Sequence, residues 1–211
     1  LWYHVVAAYA GSALILPEYR DAVPQFEKAD SFVFNPHKWL FTNFDCSVFF
    51  VKNSYDLTKT FSLVPNYLQT DQADEIDYSN WGIQLGRRFR SLKLWFVIRS
   101  FGVEGLQTKL REHILLGKLF EEKVKQADDF ELVVERNLNV ICFRYTNENE
   151  ELLNDLNKQL LEKINKTGKI YLSHTSINGK FVIRYVCGQT NVKEKHIHLA
   201  WNIITEAADT L

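Results

Sequence analysis

The chain is organised around one five-residue stretch, Asn35-Pro36-His37-Lys38-Trp39. The apolar run 31–34 precedes it, and the apolar pair 40–41 follows it. A lysine between two apolar runs loses part of the hydration of its ammonium group, which favours the neutral, nucleophilic amine. Imine formation with an aldehyde cofactor requires such an amine. A lysine in apolar surroundings is more commonly a side chain that reaches solvent from a strand end, so the stretch alone leaves both interpretations open.

Composition excludes several classes of function. The net charge of −1 over 211 residues gives no electrostatic reason to expect nucleic acid or an anionic membrane as a partner. No run approaches the roughly 20 apolar residues of a membrane span. The three cysteines, Cys46, Cys142 and Cys187, lack metal-ligand spacing and are typical of reduced core residues. We therefore predict a cytoplasmic protein without a metal site, a nucleic-acid partner or a membrane partner.

The start of the chain is unusual. Residue Leu1 falls inside an apolar, strand-like run, and the chain contains no methionine. We expect this chain to be the C-terminal part of a longer protein, and we expect the 211 residues alone to be inactive.

The pattern of apolar residues predicts an α/β region followed by an α+β region. The run Leu1–Val6 ends in small residues, as buried parallel strands do before a functional site. Residues 17–28 are polar and helix-like. From Val103 onward, helical spacing alternates with strand-like runs, including one at 169–172. We predict two domains, residues 1–92 and residues 93–211.

Two local patterns concern helices. A basic block interleaved with aromatic residues lies within 81–101. Such a block can indicate nucleic-acid binding, but the neutral chain favours a linking helix with its arginines in ion pairs. Asn191 and Glu194 have the spacing of a capping box and predict that the last helix begins near Asn191.

Several blocks resemble the group II pyridoxal-phosphate decarboxylases. They are His4–Ser12, Ala29–Phe32, Asn35–Trp39 and Asn43–Ser47. The block 85–96, LGRRFRSLKLWF, resembles the aromatic-L-amino-acid decarboxylase branch in particular. The resemblance runs in order through the whole chain. It implies an α/β fold, namely part of the aspartate aminotransferase-like large domain of PLP-dependent transferases, followed by a small α+β C-terminal domain.

The resemblance also implies a function and a set of site residues. The cofactor would be pyridoxal 5'-phosphate, bound through a Schiff base to Lys38, and the reaction would convert an aromatic L-amino acid to its amine and carbon dioxide. Asn35 and His37 would lie near the cofactor phosphate, and Ala8 would lie against the cofactor ring. Tyr67 would be the second catalytic residue, a proton donor on a loop. The family resemblance further implies a homodimer.

Position 6 departs from the family pattern. The family has an aspartate beside the pyridine nitrogen of the cofactor, and this chain has Val6 there. Valine holds neither a proton nor a charge, so a neutral pyridine is favoured beside it. One alternative that follows is a catalytically impaired homologue with a dimerisation or regulatory role. A separate alternative to decarboxylation is an aldehyde-forming relative. Because relatives that form aldehydes tend to have phenylalanine at the tyrosine position, Tyr67 argues against the second alternative.

Overall fold

The structure, a computed structural model, describes residues 1–62 and 76–211. Contacts within these ranges divide the chain into two compact units, Leu1–Leu106 and Gln107–Leu211. The domain boundary that we predict after residue 92 stays a prediction.

The first unit contains a three-stranded sheet. Strand β1 (His4–Val6) pairs in parallel with β2 (Ser31–Phe34), and β2 pairs in antiparallel fashion with β3 (Val48–Val51). The apolar run 31–34 that precedes the lysine forms strand β2. The expectation of a buried first strand is wrong for the described residues, because His4 and Val6 on one face of β1 are exposed.

The connection between β1 and β2 consists of three short 3-10 helices, Ala10–Ile15, Pro17–Ala22 and Phe26–Lys28. The single helix-like segment that we predict over 17–28 is therefore interrupted. Pro24 cannot donate a main-chain hydrogen bond, and Gln25 after it has a φ of 57°, in the left-handed region. These two residues explain the break.

The first of these 3-10 helices lies very close to β2. A Cβ atom placed on Gly11 would be 2.6 Å from Cβ of Phe34 and 3.2 Å from Cβ of Ala7. Only glycine fits at such a distance.

Three α-helices begin in the described part of the first unit, residues 1–62 and 76–106. They are α1 (Pro36–Trp39), α2 (Ser54–Phe61) and α3 (Arg90–Lys125). A 3-10 helix, Tyr78–Trp81, precedes α3. Gly102 has non-helical backbone angles inside α3. The basic, aromatic block lies within 81–101, and helix α3 begins at Arg90, nine residues after position 81.

The second unit is an antiparallel sheet packed against helices. Its strands are β4 (Phe130–Leu132), β5 (Val140–Tyr145), β6 (Ser173–Ile177) and β7 (Lys180–Val186), in the order β4-β5-β7-β6. Its helices α4 (Leu153–Lys166) and α5 (Glu194–Ala208) contribute to one core together with the last part of α3. In that core the ring of Phe120 stacks on the ring of Tyr185, with centroids 3.8 Å apart.

Two local predictions for this unit are wrong. The strand predicted at 169–172 lies instead at β6. The main-chain N–H of Leu172 donates to Oδ1 of Asn165 at 2.8 Å, and Nδ2 of Asn165 donates to the carbonyl of Leu172 at 3.0 Å. Because these main-chain groups bond to a side chain, they do not pair with a neighbouring strand. The predicted capping box does not form. Helix α5 begins at Glu194, and the main-chain N–H of Lys193 donates to Nδ1 of His196 at 2.9 Å.

In the part of the chain that the structure describes, no helix has the length and apolar character needed to cross a membrane.

Candidate active site

The C-terminal ends of β1 and β2 meet at one edge of the first sheet. The main-chain N–H of Ala7 donates to the carbonyl of Val33 at 2.9 Å, and the N–H of Asn35 donates to the carbonyl of Ala8 at 3.0 Å. Because β1 and β2 are parallel, the residues that follow both strands come out at the same edge. The structure thus brings two sequence-distant segments together, residues 6–8 and residues 35–38.

Lys38 lies on the single turn of α1 and is exposed. Its main-chain N–H donates to the carbonyl of Asn35 at 2.9 Å. The neighbouring side chains of Trp39 and Leu40 are buried. The loss of hydration that we expect from the apolar neighbours is not found among the described residues. Successive residues of a helical turn point in different directions, so buried neighbours do not bury the lysine.

His37 is held by the main chain of Cys46. Its Nδ1 lies 2.6 Å from the carbonyl oxygen of Cys46 and 3.0 Å from the nitrogen of Cys46. The main-chain N–H of His37 also donates to that carbonyl at 3.3 Å. One ring nitrogen cannot donate and accept at once, and the shorter distance favours an Nδ1–H that donates to the carbonyl. This assignment leaves Nε2 as the ring nitrogen that does not contact Cys46.

Asn35 occupies the N-cap position of α1, but its side chain makes no capping hydrogen bond there. Its Oδ1 accepts a hydrogen bond of 2.7 Å from the hydroxyl of Ser47. Sequence reasoning did not single out Ser47 as a site residue. The signal was present, because Ser47 ends one of the blocks that carry the family resemblance.

An ion pair lies next to these contacts. Nε and Nη2 of Arg90 each lie 3.0 Å from Oδ2 of Asp45. The hydrogen bond from Arg90 lowers the pKa of the Asp45 carboxyl. Burial raises the pKa of the adjacent Cys46 thiol. The ion pairing that we predict for the arginines of the block within 81–101 is found here for Arg90. Sequence reasoning did not identify Asp45 as the partner, since 45 positions separate the two residues and no local pattern links them.

Val6 and Ala8 lie at the end of β1. Val6 pairs in register with Val33 of β2 and is 71% exposed. Ala8 is half-buried. The side chain of Val6 has no atom that can accept a proton or carry a charge.

Two further expectations concern Tyr67 and metal ligands. Tyr67 lies outside the described residues. In the described ranges, no three His, Cys, Asp or Glu side chains form a group that could hold a metal ion.

The fold and the site define a class of protein: an α/β protein with a lysine, a histidine and an asparagine gathered at the C-terminal edge of a parallel strand pair. The family model described as "Pyridoxal-dependent decarboxylase conserved domain" matches residues 1–146. The chain belongs to this family, and the predicted α/β fold class of PLP-dependent decarboxylases is confirmed.

Individual relatives agree with this assignment. The phenylacetaldehyde synthase of Arabidopsis thaliana is 46% identical over all of this chain and 44% of its own length. The aromatic-L-amino-acid decarboxylase of Bos taurus is 48% identical over all of this chain and 43% of its own length. The crystal structure of Oryza sativa TDC with PLP and tryptamine superposes with a TM-score of 0.93 at 39% identity. It covers 99% of this chain and 44% of that chain. The chain therefore spans less than half the length of these relatives.

Proposed function

We propose that the protein containing this chain is a pyridoxal-phosphate-dependent decarboxylase that converts an aromatic L-amino acid to its amine and carbon dioxide. One observation carries the proposal: the hydrogen bond from Asn35 to Ala8 brings the exposed amine of Lys38 to the same sheet edge as Val6 and Ala8. Support for the substrate class comes from relatives named as tyrosine and aromatic-L-amino-acid decarboxylases.

The chemistry of the residues fits the cofactor at two points. The primary amine of Lys38 is exposed and available to an aldehyde. His37 on α1 and Asn35 immediately before α1 offer polar groups for a phosphate, and Nε2 of His37 does not contact Cys46. At a third point the fit is poor, because Val6 supplies no partner for a ring nitrogen.

Each residue then has a role. Lys38 would bind the cofactor covalently, His37 and Asn35 would hold its phosphate, and Ala8 would limit the space at the ring face. Tyr67 delivers a proton to the substrate carbon from which carbon dioxide has departed. Pyridoxal phosphate, when bound, acts as a sink for the electron pair released at that carbon. We further propose that the protein works as a homodimer in the cytoplasm.

Val6 favours a second candidate function, an impaired homologue that serves in dimerisation or regulation. Without a charged partner at the ring nitrogen, the electron sink is weakened. The presence of both Lys38 and Tyr67 opposes this alternative. An aldehyde-forming enzyme, as the name of the Arabidopsis relative suggests, is disfavoured by Tyr67.

The test uses the protein expressed from its natural gene. Reduction with borohydride in the presence of pyridoxal phosphate, followed by peptide mapping, should place the pyridoxyl group on Lys38. The Lys38→Ala variant should lose both the label and carbon dioxide release from tyrosine, tryptophan and dopa. The Lys52→Ala variant is the control, because Lys52 is exposed just after β3, and it should keep both. Label on another lysine and none on Lys38 would contradict the proposal.

A further inference from the structure

Helix α1 is too short to be stable by its own hydrogen bonds. It has four residues, whereas isolated helices below about 12 residues are marginal in water. The direction of the Lys38 side chain therefore depends on what packs against this turn.

The loop 42–47 supplies those contacts. The ring of Phe44 meets the ring of His37 edge-on, with centroids 4.9 Å apart. Both main-chain groups of Cys46 lie against His37, and the hydroxyl of Ser47 binds Asn35 at 2.7 Å. Residues on both sides of position 45 thus contact His37, which precedes the lysine on its turn, and Asn35, which precedes the turn.

The loop 42–47 is itself bound to α3 through an ion pair at Asp45. Two nitrogens of the Arg90 guanidinium lie 3.0 Å from one carboxylate oxygen of Asp45. The thiol of Cys46 lies 3.9 Å from the carbonyl oxygen of Arg90. Arg90 is the first residue of α3, so a long helix anchors the loop.

We infer that the Asp45–Arg90 ion pair is a positioning element for the Lys38 amine, acting through the Cys46 main chain and His37. This inference rests on the proposed function, in which Lys38 holds the cofactor. Neither Asp45 nor Arg90 touches the reacting atoms in this scheme. When the pair is broken, the loop is free to move away from His37, and the amine departs from its productive position. A misplacement of about 1 Å at a reacting group can cost on the order of a hundredfold in rate.

The test is a double-mutant cycle in the protein expressed from its natural gene. The variants are Asp45→Asn, Arg90→Gln and the two combined. We expect each single variant to lower kcat by about tenfold or more, with KM changed less than kcat. We expect the combined variant to be no worse than either single one, because both remove the same contact. The visible absorbance of the lysine-bound cofactor should shift or weaken in all three.

Two controls separate positioning from general stability. Arg90→Lys retains the charge but not the two-nitrogen geometry, and it should recover part of the activity. Asp155→Asn breaks an exposed pair with Lys158 in the second unit and should leave kcat and the absorbance unchanged. All assays are run well below the measured melting temperatures.

The outcomes distinguish the two proposals. If borohydride labels a lysine other than Lys38 in the wild-type protein, the proposed function fails. If Lys38 is labelled but the single variants match wild type, or if their effects on kcat are additive, only the positioning role is overturned.

Discussion

The phenol ring of Tyr9 stacks on the indole of Trp39, with ring centroids 5.0 Å apart and planes 4° from parallel. Trp39 is fully buried, whereas Lys38 beside it is exposed. The segment after β1 therefore anchors the turn α1 through an aromatic contact. The same short turn therefore buries the indole of Trp39 and leaves the amine of Lys38 exposed.

The first prediction concerns Val6. Replacing it with aspartate in the protein expressed from its natural gene should raise kcat on the order of a hundredfold, because a carboxylate beside a pyridine nitrogen makes a charge-assisted hydrogen bond and favours the protonated ring. The gain should appear mainly in kcat, since the interaction strengthens in the transition state. Carbon dioxide release from aromatic amino acids measures it.

The matched control is Val6→Asn, which has similar size but no charge and should stay near the wild-type rate. Equal rates for the aspartate variant and wild type, both with cofactor bound, would show that Val6 is not at the ring nitrogen.

The second prediction concerns Tyr67. The Tyr67→Phe variant should shift the product from amine toward aldehyde, because the ring remains while the proton donor is lost, and the unprotonated carbon survives to meet oxygen. Amine and aldehyde are quantified from the same reaction. Tyr55→Phe is the control, since Tyr55 is an exposed residue of α2, and it should not change the ratio. An unchanged ratio in Tyr67→Phe would remove the protonating role.

The third prediction tests the close approach at Gly11. Gly11→Ala should lower the free energy of unfolding by about 1–3 kcal/mol, because the new Cβ would lie 2.6 Å from Cβ of Phe34, a main-chain-attached atom that cannot move alone. Urea unfolding measures the change. Gly105→Ala should be neutral or stabilising by up to about 1 kcal/mol, because Gly105 is helical and its added Cβ meets only ordinary contacts. A stabilised Gly11→Ala variant would mean that the 3-10 helix and β2 are farther apart.

The fourth prediction concerns acid stability of the second unit. His113 is fully buried. Burial, reinforced by the charge of Lys109, lowers its pKa to about 4. Glu112 and Lys193 also act on this histidine, and Gln189 bonds to it. A histidine with a lowered pKa binds fewer protons in the folded state than in the unfolded state. Stability is therefore lost as pH falls from about 6.5 toward 4.

Between pH 7.5 and pH 5.0 this difference corresponds to about 2 kcal/mol of unfolding free energy. Urea unfolding at the two pH values measures it, and His113→Gln should remove most of the loss. His198→Gln is the control, because His198 is exposed on α5. Lysine contacts lower the pKa of Glu112 to about 2, so its effect on stability begins only below about pH 4.5 and lies outside this interval. The same pH dependence in His113→Gln and wild type would contradict the assignment.

The sequence by itself determined the family, the strand that leads to the lysine and the residues to consider for the site. Short-range sequence information is sufficient for this, because the blocks around Lys38 are contiguous and three successive residues before them, Phe32, Val33 and Phe34, are apolar. It also determined the apolar helical and strand patterns of the second unit, whose core residues follow their periodicity.

Only the tertiary structure decided which groups act on each other across the chain. Three features depend on segments that pattern analysis treats separately. They are the exposure of Lys38, the hydrogen bond between His37 and the main chain of Cys46, and the ion pair of Asp45 with Arg90. The position of β6 and the first residue of α5 were also decided by tertiary structure. Asn165 bonds to the main chain of Leu172 before β6, and His196 accepts from the main chain of Lys193 before α5. Side-chain hydrogen bonds with the main chain compete with regular structure, and their outcome depends on distances that exist only after the chain has folded.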